Sequence, residues 1–384
     1  MAARLRVVYL DHCAQLSGAE LALLRLLPAL VDDVEPHVIL GEDGPLVARL
    51  RAGGISTEVI PMVEAARGLA RDRVRLARLP MATLLHTARH TATTAARLRR
   101  LSPDLVHTNS LKSGLYGSLA ARLAGVPAVW HLREQITAET LPPAAVRLLR
   151  ASVRRLPSAV IANSRSTLRQ VAAPGLTAVA ISSPVEVDVV TGPRPPGGPL
   201  RFGLVGRLAP LKGQHVFLEA FAKAFPVSSG DAPLAVLVGA PLFGETAYEE
   251  QLRSQVARLG LEDRVEMTGF REDVGAELGR LDVLVQASVT PEGFGLVVVE
   301  GMAAGLAVIA PRAGGPEEIV TDGHDGLLCP PGDVNALAAA LRRLHDDEPL
   351  RRRLGQAGRK RALDFTPAVI APQVLALYRA VLRR

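Results

Sequence analysis

Cysteine is scarce in this sequence. The 384 residues hold only Cys13 and Cys329, 316 positions apart, and neither has a metal-ligand or redox spacing. No disulfide framework organises the chain, and both residues are expected as free thiols of a reducing cytoplasm. Also missing is any run of about 18 uncharged apolar residues, so no segment reads as spanning a bilayer. The opening MAARLRVVYL has too short an apolar run for a secretion signal and passes directly into a strand pattern. Aromatics make up 3% of the chain. The most basic stretch, residues 65–101, has none, which argues against nucleic acid as a partner because bases are held by stacking. Internal repeats and low-complexity segments are not evident.

What is present is apolar and unevenly charged. Hydrophobic residues reach 48%, a globular rather than disordered composition, and the length favours two domains over one core. The net charge of +7 sits in the first half: residues 1–190 carry 23 Lys and Arg against 15 Asp and Glu, and the remainder 22 against 23. Residues 65–101 hold nine arginines and one acid, Asp72. Such a segment suits a peripheral contact with anionic lipid at the inner face of a membrane, or an anionic acceptor. The plainer reading is a solvated pair of helices in an arginine-rich chain.

Strand-like and helix-like segments alternate from end to end, the pattern of α/β layers with mainly parallel sheets. Strands are expected at 6–10, 36–40, 105–108, 128–131 and 159–162, with helices at 19–30 and 143–156. TGPRPPGGPL, residues 191–200, holds four prolines and three glycines and reads as a hinge-like linker. It separates a domain at 1–190 from a second at 201–365, with strands expected at 200–205, 235–239, 264–268, 283–286 and 307–310. Helices are expected there at 248–259 and 334–345, and an apolar-faced helix at 367–382 closes the chain within a last segment, 366–384. Two doubly wound sheets bind ligand outside the carboxyl ends of their strands.

The densest chemistry lies in PEGFGLVVVEGMAAGLAVIAPRAGGP, residues 291–316. Glu292 and Glu300 are eight positions apart, and Gly293, Phe294 and Gly295 form a turn after the first. A helix starting near Gly295 and Leu296 offers free backbone N–H groups to a phosphate. About 80 residues earlier an apolar run ends in GRLAPLKG, residues 206–213, where Arg207 and Lys212 flank a turn holding Pro210. Arginine brings a planar fork and lysine a point charge, so the two suit one anion such as a diphosphate. A loop presenting amides, cations and carboxylates fits a ligand with both phosphates and hydroxyls, as in nucleotide sugars.

Together GRLAPLKG and EGFGLVVVE resemble the donor site of retaining glycosyltransferases of family four, which have the GT-B fold. The resemblance extends to DLVHTNSLKSGLYGSLAARLAGVPAVWHLRE at 104–134, VEMTGFRED at 265–273 and GGPEEIVTDGHDGLLCPPGD at 314–333. It implies two Rossmann-like domains facing an interdomain crevice, with the last helix crossing back to the first domain. By the same resemblance Arg207 and Lys212 grip the donor diphosphate, Glu292 faces the sugar and Glu300 accepts from the ribose hydroxyls. The nucleotide base is expected at Gly269, Phe270 and Arg271. Gly18, opening a helical run, is expected to approach the diphosphate, although the family's usual glycine pair is Ser17-Gly18 here. His131 is expected near the donor sugar, with Arg133 and Glu134 toward the acceptor and His107 and Asn109 on the neighbouring strand end. Gly314 and Gly315 mark a tight turn, Glu318 reads as packing at that turn, and SPVEVD at 183–188 departs from the family's signature ahead of the linker.

The expected activity is transfer of a sugar, with retention, from a UDP- or GDP-sugar to an acceptor hydroxyl of a small molecule, glycan or lipid-linked sugar. Envelope glycan or glycolipid synthesis is the first expectation and secondary-metabolite glycosylation the second. No cofactor and no metal are expected, because no Asp-x-Asp pair lies in the region. A sugar-phosphate synthase or epimerase of similar fold would share the donor residues. A non-catalytic nucleotide-sugar sensor is the alternative of another class, and the intact Arg207, Lys212, Glu292 and Glu300 argue against it.

Overall fold

The computed structural model describes residues 4–62, 81–139, 141–187, 197–226, 233–241 and 245–383. Residues 65–80 of the basic stretch and 191–196 of the linker lie outside the described residues. The chain divides into two compact units, Met1–Pro184 with Pro367–Arg384, and Val185–Thr366.

The first unit is built on seven parallel strands: β1 (Leu5–Asp11), β2 (Val34–Leu40), β3 (Ser56–Val59), β4 (Leu105–Thr108), β5 (Ala128–Leu132), β6 (Ala159–Ala162) and β7 (Ala178–Ala180). Their order is β3-β2-β1-β4-β5-β6-β7. The inner strands are buried along nearly their whole length, as in β4, β5 and β6, because helices cover both faces of a parallel sheet. That explains why they read as unbroken apolar runs. The strands not foreseen, β3 and β7, are the edges, where strands are short and carry little periodicity. The helix expected at 19–30 ends at Leu26, and Leu27–Leu30 continues as a 3₁₀ turn with Pro28 in its first positions. Proline has no N–H to give the preceding turn.

The second unit has β8 (Arg201–Val205), β9 (Leu234–Val238), β10 (Val265–Gly269), β11 (Val283–Val285), β12 (Ala307–Pro311) and β13 (Leu327–Cys329). The order is β10-β9-β8-β11-β12-β13, all neighbours parallel. The edge strand β13 was again missed from the sequence. Both sheets reverse their order once, between β1 and β4 and between β8 and β11.

The stretch Glu348–Leu382 is long and apolar enough to cross a membrane by composition. A 3₁₀ turn, Leu363–Phe365, divides it, and its last helix, Pro367–Leu382, buries Ile370, Val374 and Tyr378 in the first unit's core. Cys13 and Cys329 are free and buried.

Candidate active site

In the second unit, β8 and β11 are neighbours, with Phe202 opposite Val283 and Gly203 opposite Leu284. Because the order reverses at this pair, the loops leaving the two strands diverge and open a crevice at their carboxyl ends. Those loops, 206–213 and 286–295, are the two motifs that lie about 80 residues apart in sequence. Val289 ties them together by donating its N–H to the Leu211 carbonyl, 3.0 Å.

Glycines set the loop geometry at two close approaches. Gly213, at φ 71°, precedes the helix Gln214–Ala224, and a Cβ there would fall 1.9 Å from the Ala287 carbonyl oxygen. A Cβ on Gly315 would meet the Phe294 oxygen at 2.2 Å, and the Gly315 N–H donates to the Glu292 carbonyl at 2.9 Å. The 292–295 and 313–316 turns therefore interlock, and no side chain fits between them.

On this frame Lys212 Nζ donates to Glu292 Oε1 at 2.8 Å, and the Ser288 hydroxyl donates to the same oxygen. The side chains are 27% and 16% exposed. Burial works to raise the Glu292 carboxyl's pKa, but the Lys212 charge and the bonds from Lys212 and Ser288 outweigh it and hold the group below its usual value. Gly293, Phe294 and Gly295 follow directly, and Gly295, at φ 108°, caps the helix Leu296–Ala303. Leu296 opens that helix, and Glu300 lies half-buried in its second turn.

Across the turn from Lys212, Arg207 Nη1 donates to Glu245 Oε2 at 2.6 Å. Phe294 is 5% exposed and packs edge-on against Phe365, ring centres 5.7 Å apart, so its side chain belongs to the core. At the end of β10, Gly269 has φ 72° and accepts from the Gly239 N–H at 2.9 Å. Phe270 beyond it is 57% exposed, and Arg271 Nε lies 3.2 Å from Glu277.

The first unit gathers a different cluster at its own reversal, where Leu10 pairs with Thr108. Asp11 is fully buried. Its Oδ2 accepts from Asn109 Nδ2 at 2.7 Å and its Oδ1 from the His12 N–H at 2.7 Å. The Asn109 oxygen in turn accepts from Arg133 Nε and Nη2, at 3.0 and 2.8 Å, while Arg133 Nη1 donates to Ser183 Oγ at 3.0 Å. Arg133 is 7% exposed, its guanidinium turned inward onto these partners.

Gly18 stands exposed at the first turn of the helix Gly18–Leu26. Two residues on, Glu20 is 2% exposed and accepts from the Ser17 hydroxyl. Burial first, and then the Asp11 charge, push its pKa up to about 8. His131 is 1% exposed, with Nδ1 3.2 Å from His107 Nε2; His107 Nδ1 lies 2.6 Å from the Tyr378 hydroxyl. Burial and the nearby Arg133 charge lower both imidazoles, His107 to about 3, so both are neutral at physiological pH. His131 Nε2 is buried without a hydrogen-bond partner among the described residues.

The sequence did not single out Ser288, Glu245, Asp11, Glu20 or Tyr378. Ser288 stands four residues before Glu292 and Glu20 two after Gly18, the nearest signals that local spacing offered. Tyr378 lies 271 positions from His107, beyond the reach of any local pattern.

This architecture defines a two-domain α/β protein with ligand loops at the strand ends. Residues 192–361 match the family model for glycosyl transferases group 1, and residues 17–182 match a glycosyl transferase 4-like domain. Phosphatidyl-myo-inositol mannosyltransferase of Mycobacterium leprae is 30% identical over 285 residues, 72% of this chain and 74% of that one. Two other relatives match over a smaller share of their length. Exopolysaccharide phosphotransferase SCO2592 of Streptomyces coelicolor is 36% identical over 46% of this chain and 18% of its own. D-inositol 3-phosphate glycosyltransferase of Corynebacterium glutamicum is 35% identical over 45% of this chain and 42% of its own. Among solved structures, Anabaena Alr3699/HepE in complex with UDP and glucose superimposes with a TM-score of 0.84 at 27% identity, covering 98% of this chain and all of that one. The chain belongs to glycosyltransferase family four, has the GT-B fold, and is a glycosyltransferase.

Proposed function

We propose that this enzyme transfers a sugar, with retention and without a metal ion, from a uridine diphosphate donor to an acceptor hydroxyl in envelope or exopolysaccharide glycan synthesis. The observation that carries the proposal is the Lys212–Glu292 pair, set on interlocked glycine turns at the start of the helix Leu296–Ala303. Uridine is chosen because Alr3699/HepE, alike over nearly the whole chain, holds UDP. The acceptor class follows the names of the relatives, which act on phosphatidyl-myo-inositol or in exopolysaccharide synthesis.

In this reading the arriving diphosphate takes Lys212 from Glu292 and Arg207 from Glu245, and its oxygens also meet the amides at Gly295 and Leu296. Glu292 then turns to the sugar and Glu300 to the ribose hydroxyls. Gly269 and Arg271 border the base, with the exposed Phe270 beside them. The demanding event is departure of the diphosphate as negative charge builds on its oxygens. Lys212, Arg207 and the amides stabilise that charge, each contributing about 3 kcal/mol by analogy with oxyanion donors. The leaving phosphate oxygen accepts the acceptor's proton on the same face as the new bond forms. Two cations and a helix N-terminus supply the positive charge that a metal would otherwise bring.

Calorimetry with UDP, GDP, ADP and CMP in the presence of EDTA tests the proposal. UDP alone is expected to bind, and Lys212→Ala to abolish binding and lower turnover by about 10²- to 10³-fold. Binding of none of the four, activity restored only by manganese, or full activity in Lys212→Ala would overturn it.

A further inference from the structure

The helix Leu111–Ala124 is inside out. Its buried residues are Ser113, Gly114, Tyr116, Gly117, Ser118, Ala120 and Ala121, all small except Tyr116. A Cβ on Gly114 would fall 1.8 Å from the Trp130 ring, so the helix lies directly against β5. Toward solvent it presents Leu115, Leu119 and Leu123, exposed by 36%, 42% and 51%. These sit at i, i+4 and i+8 and so line one stripe. A helix of a globular protein ordinarily points such residues at the core.

The neighbouring helices, Met81–Leu101 and Pro143–Arg155, pack on either side of it and extend the pattern. Of the ten exposed large apolar side chains among the described residues, seven lie on these three helices, Leu84, Leu85 and Leu148 among them. The same three helices carry ten Lys or Arg and no Asp or Glu. A leucine stripe within an all-cationic layer is an unusual surface to leave in water.

We infer that this layer docks on an anionic lipid bilayer, with Leu115, Leu119 and Leu123 entering the headgroup boundary and the surrounding arginines meeting lipid phosphates. Both halves of the surface are used only by that partner. A soluble polyanion would satisfy the arginines and leave the leucines wet. A second copy through the same face would set like charges against one another, although Arg97 pairs with Glu58. The inference concerns helices of the first unit and does not depend on which donor is bound.

The test is co-sedimentation of the full chain with vesicles of phosphatidylcholine alone, or with about one third phosphatidylglycerol. Binding is expected to the anionic vesicles only, falling as salt screens the charges. Leu119→Ser with Leu123→Ser should weaken it about ten-fold, and Arg147→Gln with Arg155→Gln roughly five-fold for each charge removed. The thermal transition and nucleoside diphosphate binding of the variants should match the parent, which separates this result from failure of the donor-site reading. Equal binding by the leucine variant, capture by heparin but not by vesicles, or a dimer dissociated by the leucine changes without vesicle binding would each overturn the inference.

Discussion

The strand ends of the two units hold buried charge in opposite ways. In the first, Asp11, Asn109 and Arg133 saturate one another at 0 to 7% exposure. In the second, Lys212 and Glu292 hold each other at 27% and 16% exposure on loops shaped by glycine. Opening the first cluster would strand a carboxylate and a guanidinium in a poorly solvated interior, at a cost of about 3–5 kcal/mol. Opening the second costs far less, because partly exposed ion pairs contribute on the order of 1 kcal/mol. The first cluster is suited to fixing strand ends, and the second to exchanging a carboxylate for an incoming anion.

The largest expected effect tests the rigid side. Asn109→Ala removes both the donor to Asp11 and the acceptor of Arg133, and should lower unfolding free energy by about 3–5 kcal/mol in a urea titration. Glu292→Gln should change it by no more than about 1 kcal/mol. Equal losses would erase the contrast.

Next in size, Gly213→Ala puts a Cβ onto the Ala287 carbonyl at a positive φ. It should cost about 2–3 kcal/mol, and a variant as stable as the parent would show that the loop frame yields.

A pH titration sharpens the comparison further. Glu20's folded pKa, about 8, lies above its ordinary 4.5, so the folded state keeps a proton the unfolded chain releases. Its contribution is full below pH 4.5 and is lost as pH rises toward 8. Glu20→Gln should flatten the fall in melting temperature across that window, and an unchanged slope would remove Glu20 as its source.

The smallest effect lies at the exchanging pair. Glu292→Gln removes the anion competing for Lys212, so UDP should bind a few-fold tighter by calorimetry while turnover drops. Weaker binding would mean that Glu292 orients Lys212 instead of restraining it.

The order of strands and helices and the two motif loops were legible because each is written locally. Buried strands read as apolar runs, and Gly213, Gly295 and Pro210 punctuate the turns around Lys212 and Glu292. The partners were not legible. Arg207 and Lys212 read as two cations for one anion, but nothing local pointed to Glu245, which lies 38 positions from Arg207 and accepts from it. His131 read as a strand-end residue facing ligand, and local spacing gave no sign that its Nδ1 meets His107 of β4, which in turn meets a tyrosine from the last helix. Nor did the sequence mark the inward face of the helix Leu111–Ala124, which its contact with Trp130 shows.

The sequence by itself determined the alternation of elements, the position of the turns and the family, because those depend on residues within a few positions of one another. The tertiary structure alone decided which charges neutralise each other, which histidine is sealed and which leucines meet water. Those outcomes depend on strand order, and the adjacency of β1 with β4 and of β8 with β11 joins residues that no local spacing connects.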